Sequence, residues 1–346
     1  MKVNLNGIFV GPEEPTYVIA EIGQNHNGSL ELAKQLIQMS YRCGANAVKF
    51  QKRHIPEELT EEAYNKPYDS PHSYGRTYGE HREYLELSPE EHEILFNYCC
   101  ELGITYFCTP CDVTSVNHLE LFDCPFYKVA SRDLTNIPLL EKLSTINKPV
   151  IISTGMADYD DIELAIKTLN KPKDKLIIMQ CTSQYPCSYD NVHLNAIETI
   201  REKYHYNVGL SDHTSGIIVS AVSPLFGACI IEKHVTFNRA DKGSDHAGSL
   251  EENGLKKLIE YLRVIRLAKG SKDKFIIPET RVSREKLERS IVSKIDIEEG
   301  TIIKEEMLTL KSPGIGLKWK EMNKVIGKTA MKTIGKDSLI NLKDLK

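Results

Sequence analysis

Eight short apolar runs recur along the first three-quarters of the chain. They begin at Tyr17, Asn46, Ile104, Phe126, Pro149, Leu176, Tyr206 and Cys229, and read YVIAEI, NAVKFQ, ITYFCT, FYKVAS, PVIIST, LIIMQC, YNVGLS and CIIEKH. Each spans about six residues rich in β-branched or aromatic side chains, the pattern of strands buried on both faces of a parallel sheet. Amphipathic stretches separate most of them. Leu30–Cys43 carries apolar residues at three- and four-residue spacing behind Ser29, a natural cap. Ser88-Pro89-Glu90-Glu91 opens another helix with a cap, a proline at the first helical position and acids at the positive end. Leu250–Leu267 gives the last.

Successive runs start 22 to 30 residues apart, except for one 58-residue step from Asn46 to Ile104. Eight strand–helix units in about 270 residues predict an α/β fold, a (β/α)₈ TIM barrel. A doubly wound sheet is the alternative, but the G-x-G-x-x-G turn after its first strand is missing. The long step holds an insertion, Arg53–Leu87, on the face where barrels do chemistry. The repeat stops after residue 270, and residues 271–285 read as a linker. Residues 286–346 alternate in short segments such as Ser290–Ile295, with turns at Glu299-Gly300, Pro313-Gly314 and Gly335-Lys336, and read as a small β-rich domain.

The carboxyl ends of the eight runs are polar one after another: Glu21, then Lys49 and Gln51, Thr109, Lys128 with Ser131 and Asp133, Ser153, Ser183 with Tyr185, Ser211 with Asp212 and His213, and Glu232 with His234. Lys49 and Gln51 are two apart and share a face. Lys128 sits among apolar neighbours, where a lysine is costly unless it meets an anion. Two lysines within a ring of hydroxyls suit a phosphate, or a phosphate plus a carboxylate. His213 and His234 end neighbouring strands, as two imidazole ligands of one divalent ion would, with Glu21 or Asp212 as a possible third. The competing readings are lysines that snorkel outward and a histidine that only hydrogen-bonds.

Composition changes little until it is divided. The net charge is −4 over 346 residues, which argues against nucleic acid as a partner. Residues 286–346 hold 13 basic and 9 acidic groups, net +4, so the preceding part carries −8. No apolar run is long enough to span a membrane, and the start, Met1-Lys-Val-Asn-Leu-Asn, lacks the apolar core of a signal peptide, so a cytoplasmic chain is expected. Nine cysteines, with Cys108-Thr-Pro-Cys111 the only C-x-x-C pair, read as reduced core thiols.

Taken together the motifs resemble the sialic acid synthase family (N-acetylneuraminate synthase type). The matching stretches are Ala20-Glu-Ile-Gly-Gln-Asn-His-Asn-Gly28, Ala47-Val-Lys-Phe-Gln51, Tyr127-Lys-Val-Ala-Ser131, Ile152-Ser-Thr-Gly-Met156, Cys181-Thr-Ser-Gln-Tyr-Pro186, Gly209-Leu-Ser-Asp-His213, Glu232-Lys-His-Val-Thr236, Gly243-Ser-Asp-His246 and Ser249-Leu-Glu251. Arg289-Ser-Ile-Val-Ser-Lys294 and Ile326-Gly-Lys328 resemble the family's antifreeze-like (SAF) tail. The resemblance implies a metal-dependent condensation of phosphoenolpyruvate with N-acetylmannosamine or its 6-phosphate, giving N-acetylneuraminate or its 9-phosphate and releasing phosphate. It implies that Lys49, Thr109, Lys128, Ser131, Ser153, Ser183 and Ser211 hold phosphoenolpyruvate. His213 and His234 would bind Mn²⁺ or Mg²⁺, Gln51, Asp133, Tyr185 and Asp245 would hold the sugar, and Glu21 would act as acid or base. It further implies a domain-swapped homodimer, the tail of one copy reaching the partner's barrel.

The sequence departs from the family in three places. Arg132 stands where the family often has Gly, Ser183 where bacterial members have Asn, and Lys311-Ser-Pro-Gly314 lacks an Arg before Pro-Gly, leaving Lys311 or Lys318 to approach the sugar. The insertion Pro67–His81 resembles animal-type members, which use a sugar 6-phosphate, with Arg76, His81 and Arg82 as candidates to meet it. The alternatives are a synthase of a related nonulosonate (legionaminate, pseudaminate or KDN type), a sugar-phosphate epimerase, and a non-enzymatic carbohydrate- or ice-binding protein acting through the tail. That last reading should have lost Lys49, Lys128, His213 or His234, and all four are present.

Overall fold

A computed structural model describes residues 1–346, which divide into two compact units, Met1–Gly270 and Ser271–Lys346. The first opens with a hairpin, β1 (Val3–Leu5) and β2 (Ile8–Val10). Eight parallel strands follow: β3 (Tyr17–Gly23), β4 (Ala47–Lys52), β5 (Thr105–Pro110), β6 (Tyr127–Val129), β7 (Val150–Ser153), β8 (Leu176–Cys181), β9 (Asn207–Asp212) and β10 (Ile230–His234). They close into a barrel in sequence order, β10 pairing back onto β3. All eight expected runs are barrel strands.

The helices form where local chemistry starts and stops them. Ser29 accepts a bond from Leu32 N at the start of Leu30–Cys43, and Gly44 ends that helix in the left-handed conformation, φ 89°. Ser88 and Glu91 form a reciprocal capping box on Pro89–Leu102. Burial of both barrel faces leaves the strand residues Ile19, Ala20, Val48, Phe107, Ile152, Ile178 and Ile231 without solvent contact. The hairpin plugs the amino ends of the strands: Asn207 Nδ2 donates to Val10 O at 3.4 Å and Asn6 Nδ2 to Thr105 Oγ1 at 3.4 Å. Its three-residue strands are too short to register as a run, and the sequence pattern does not predict them.

The insertion is not a bare loop. It folds into helices Ile55–Glu58, Glu61–Asn65 and Tyr78–Leu85, the last opened by a capping box between Thr77 and Glu80. Two ties fasten it to the barrel. Lys52 Nζ meets Glu86 Oε1 at 2.6 Å, and Tyr74 donates from its hydroxyl to Lys242 O at 2.5 Å while Lys242 Nζ lies 4.5 Å over the Tyr74 ring. Charge pairing therefore holds the insertion to β4, and the Tyr74 contacts hold it to the segment that follows β10.

In the second unit, β11 (Ser290–Ser293) pairs antiparallel with β12 (Leu308–Lys311), and isolated antiparallel bridges link Ile297 to Ile334 and Ala330 to Leu345. Its own core gathers Ile291, Ile297, Ile303, Val325, Ala330 and Ile340. The stretch expected as a linker belongs to this unit and holds the helix Arg281–Leu287, whose Arg281–Glu285 and Arg284–Glu288 pairs sit at helical spacing. All nine cysteines are free, and only Cys100 is exposed. No helix is long and apolar enough to cross a membrane.

Three buried histidines predict a loss of stability in acid. Burial drives His26 and His81 from 6.5 down to about 4, and drives His92 well below 6.5. Backbone N–H groups of Gly28 and Tyr74 donate to the Nδ1 atoms of His26 and His81, which requires neutral rings. These folded-state values lie below the unfolded ones, so the unfolded chain binds more protons between about pH 4 and 6.5, and stability falls as pH drops through that window. We expect the urea midpoint to hold above pH 7 and to decline steeply from pH 6.5 to 4.5, a loss of roughly a few kcal/mol. A flat midpoint across that range would contradict neutral buried rings.

Candidate active site

Alternate residues at the carboxyl ends of the barrel strands face inward, and there they enclose a cavity of about 300 Å³. At its floor lies a set of four buried ionisable groups. Lys49 Nζ is 3.0 Å from Glu21 Oε2 and 3.5 Å from Glu232 Oε1, and Lys128 Nζ is 3.7 Å from the same Glu232 oxygen. Hydroxyls complete the shell: Lys49 donates to Thr109 Oγ1 at 3.0 Å, Lys128 to Ser153 Oγ at 2.5 Å, and Ser211 Oγ to Glu232 Oε1 at 3.2 Å.

Burial and charge set the two carboxylates apart. Burial pushes Glu21 up, with Lys49 opposing and Glu232 reinforcing the rise. Burial also acts to raise Glu232, but Lys128 and Lys49 outweigh it and hold that group below the usual carboxylate range. Burial lowers Lys128, whereas Glu21 and Glu232 more than compensate at Lys49 and keep it charged. One acid disposed to keep its proton thus stands beside one that stays ionised, the arrangement acid–base chemistry needs.

The wall beside this floor is made of close backbone. Gly155 N donates to Ser131 Oγ at 2.9 Å, and a Cβ on Gly155 would meet Ser183 Oγ at 2.6 Å and Cys181 Sγ at 2.9 Å. Only glycine lets β7 and β8 bring these groups together. Across the cavity stand the two imidazoles, ring centres 5.7 Å apart, with the Tyr185 ring 4.0 Å from His213. His213 Nδ1 lies 2.9 Å from Thr182 O, which fixes its proton there and leaves the Nε2 lone pair free. His234 Nδ1 is buried without a hydrogen-bond partner, 3.8 Å from Asp245 Oδ2. Such a donor set fits a divalent ion. His, Cys, Asp and Glu side chains nowhere gather in threes at ligand spacing, so protein atoms alone do not make a complete cage.

The mouth carries a second positive pole. Arg53, Arg82 and Arg132 line one side. Arg53 lies 3.3 Å from Glu58 and 3.7 Å from Glu86 and donates to Gln51 Oε1, while Arg132 lies 3.2 Å from Glu58 and 3.3 Å from Asp133. Arg82 meets no carboxylate. It donates to the Tyr78 hydroxyl and, with the Gln24 amide turned to satisfy its neighbours, to the Gln24 oxygen, which also accepts from Arg53 at 3.0 Å.

A model of the NeuB family matches residues 36–274, and one of the SAF domain matches residues 288–346. The chain belongs to the NeuB family. Among NeuB-family relatives, human N-acetylneuraminate-9-phosphate synthase is 36% identical over 336 residues, covering 96% of this chain and 94% of the relative. N,N'-diacetyllegionaminic acid synthase of Campylobacter jejuni is 35% identical, covering 94% of this chain and 98% of that one. The crystal structure of N-acetylneuraminic acid synthetase from Leptospira borgpetersenii in complex with citrate superposes with a TM-score of 0.72 at 31% identity, covering 82% of this chain and 95% of that structure.

Within this NeuB-family barrel the cavity gathers Glu21, Lys49, Gln51, Thr109, Lys128, Ser131, Ser153, Ser183, Tyr185, Ser211, His213, His234 and Asp245. Asp133 is the correction: it does not line the cavity. It follows β6 on a 3₁₀ turn, Ser131–Asp133, where strand alternation no longer applies, and its carboxylate turns to Arg132. Lys311 lies in the second unit, at the end of β12, paired with Asp337. Of the three side chains singled out in the insertion, Arg82 reaches the cavity. His81 is buried against Tyr68 and Tyr74, and Arg76 is exposed. Sequence reasoning missed Arg53 and Gln24, and gave Glu232 no role although it marked that strand end as polar. For Arg53 a signal existed, since it continues the two-residue alternation of Lys49 and Gln51.

Lys49→Met removes the cation that Glu21 and Glu232 share. We expect a loss of about 3–5 kcal/mol in urea unfolding, the usual cost of orphaning a buried charge, and a further rise of the Glu21 pKa by carboxyl carbon-13 NMR. An unchanged Glu21 titration would mean that Lys49 does not govern it.

Proposed function

We propose that this chain joins phosphoenolpyruvate to an N-acylhexosamine 6-phosphate, forming a nine-carbon 2-keto acid 9-phosphate and releasing inorganic phosphate. The observation that carries the reading is the pair of positive poles in one cavity, lysines with hydroxyls at the floor and arginines at the mouth. Two anionic substrates answer to two such poles, and the human relative bears the name N-acetylneuraminate-9-phosphate synthase.

The chemistry follows from the groups present. Carbon 3 of phosphoenolpyruvate attacks the sugar aldehyde, and the C–C bond forms. Water adds at carbon 2, the bond from that carbon to the phosphate oxygen breaks, and phosphate leaves. Lys49 and Lys128 would hold the phosphate and carboxylate and neutralise the charge that departs. Ser131, Ser153, Ser183, Ser211 and Thr109 would orient it. Glu21 would give a proton to the aldehyde oxygen as it becomes a hydroxyl, or take one from the water that adds at carbon 2, while Gln51 donates to its Oε1 at 3.0 Å. His213 and His234 would hold Mn²⁺ or Mg²⁺, which when bound supplies polarisation of the aldehyde oxygen. Tyr185 and Asp245 would contact the sugar, and Arg53 and Arg82 its 6-phosphate, Arg82 being the guanidinium with no carboxylate to release. On the same reading the chain works as a homodimer, its +4 tail covering the anionic substrates of the partner's acidic barrel, with Lys311 in place of the family's arginine.

Phosphate release, measured with phosphoenolpyruvate, Mn²⁺ and each of N-acetylmannosamine, its 6-phosphate, mannose 6-phosphate and a diacetamido hexose, tests the substrate. The 6-phosphate of N-acetylmannosamine should give the highest kcat/KM. Arg82→Gln should raise KM for that sugar about tenfold or more, in line with a lost charge-assisted bond, and leave KM for phosphoenolpyruvate unchanged. A preference for the unphosphorylated sugar would refute the mouth assignment. His213→Ala and His234→Ala should each abolish turnover in a folded protein, and normal turnover of the metal-stripped double variant would refute the metal.

A further inference from the structure

One ion pair is buried behind the cavity wall rather than in it. β9 and β10 run side by side with Ser211 against Glu232 and Asp212 against Lys233. Glu232 and His234 face the cavity, so Lys233 between them points the other way, toward the helix layer. There its ammonium has no solvent exposure and lies 2.9 Å from Asp212 Oδ2.

Burying two charges is expensive, and an apolar pair of similar volume often serves stability as well. What an apolar pair would not do is fix the backbone around His213. Lys233 Nζ also donates to Thr214 O at 2.5 Å, and Asp212 Oδ1 accepts from Thr214 N at 2.8 Å. The residues immediately before and after His213 are thereby both bound to the residue immediately before His234. Ser220 adds its hydroxyl to Asp212 Oδ2 at 2.5 Å from the following helix.

We propose that Asp212 and Lys233 are a positioning pair that holds the His213 and His234 rings at ligand separation and so sets divalent-ion affinity. Neither touches the cavity, and the inference rests on the metal reading above.

The test is Mn²⁺ binding to the metal-free protein, read as free Mn²⁺ by electron paramagnetic resonance. Lys233→Met should weaken binding by roughly tenfold, the low end of what outer-shell substitutions cost, while phosphoenolpyruvate binding without metal stays within about twofold. Lys233→Arg, which keeps the charge and the donor, should restore Mn²⁺ affinity. Asp212→Leu with Lys233→Met removes both charges together and should fold where the single change does not; the same loss is expected there. A folded variant of either kind with affinity within twofold of the parent would overturn the positioning role. A parent protein that binds no Mn²⁺ would instead overturn the metal reading itself.

Discussion

Lys49 is held between two buried carboxylates, and the rest of the site is arranged around that constraint. Three charges at such depth are stable only if each stays within reach of its counter-charge, and no single loop can guarantee this. The barrel does so through register. Glu21 on β3 pairs with Lys49 on β4, His234 on β10 pairs with Glu21, and Glu232 on β10 pairs with Ser211 on β9. Closure of β10 onto β3 is therefore what makes the site, because it brings groups more than 200 residues apart onto adjacent strand ends.

The same register explains why one carboxylate of the pair rises and the other falls. Glu232 lies between two ammoniums and has two imidazoles nearby, whereas Glu21 depends on Lys49 and the Gln51 amide. With identical side chains, the number of cations within reach decides which oxygen keeps a proton. One cluster thus holds an acid disposed to keep its proton beside a carboxylate that stays ionised.

Much of this was legible in the sequence because strands impose a period of two on whatever they carry. Lys49 with Gln51, and Glu232 with His234, could be assigned to one face before any coordinates. The period fails where the backbone leaves the strand, as at Asp133 on its 3₁₀ turn. It is also silent about long-range partners. Nothing in the residues around Tyr74 indicates that its ring will lie beneath Lys242, or that of Arg76, His81 and Arg82 the last alone will line the cavity. The three-residue strands of the opening hairpin are invisible for a different reason, having too few residues to show alternation.

The choice of cation at each end of the cavity follows from what each must reach. At the floor the ammonium is a compact charge, able to reach a carboxylate, a hydroxyl and a ligand oxygen from one point, as Lys49 reaches Glu21, Glu232 and Thr109. At the mouth the guanidinium spreads its donors in a plane, so Arg53 serves Glu58, Glu86, Gln51 and Gln24 at once and still presents an edge to the cavity. Arg132, in the place where the family often has glycine, extends that network through Glu58 and Asp133. Carboxylates already engage Arg53 and Arg132, which leaves Arg82, carried by the insertion, as the mouth charge with no carboxylate to give up. On the proposed reading, discrimination between a neutral and a phosphorylated acceptor would fall to that side chain.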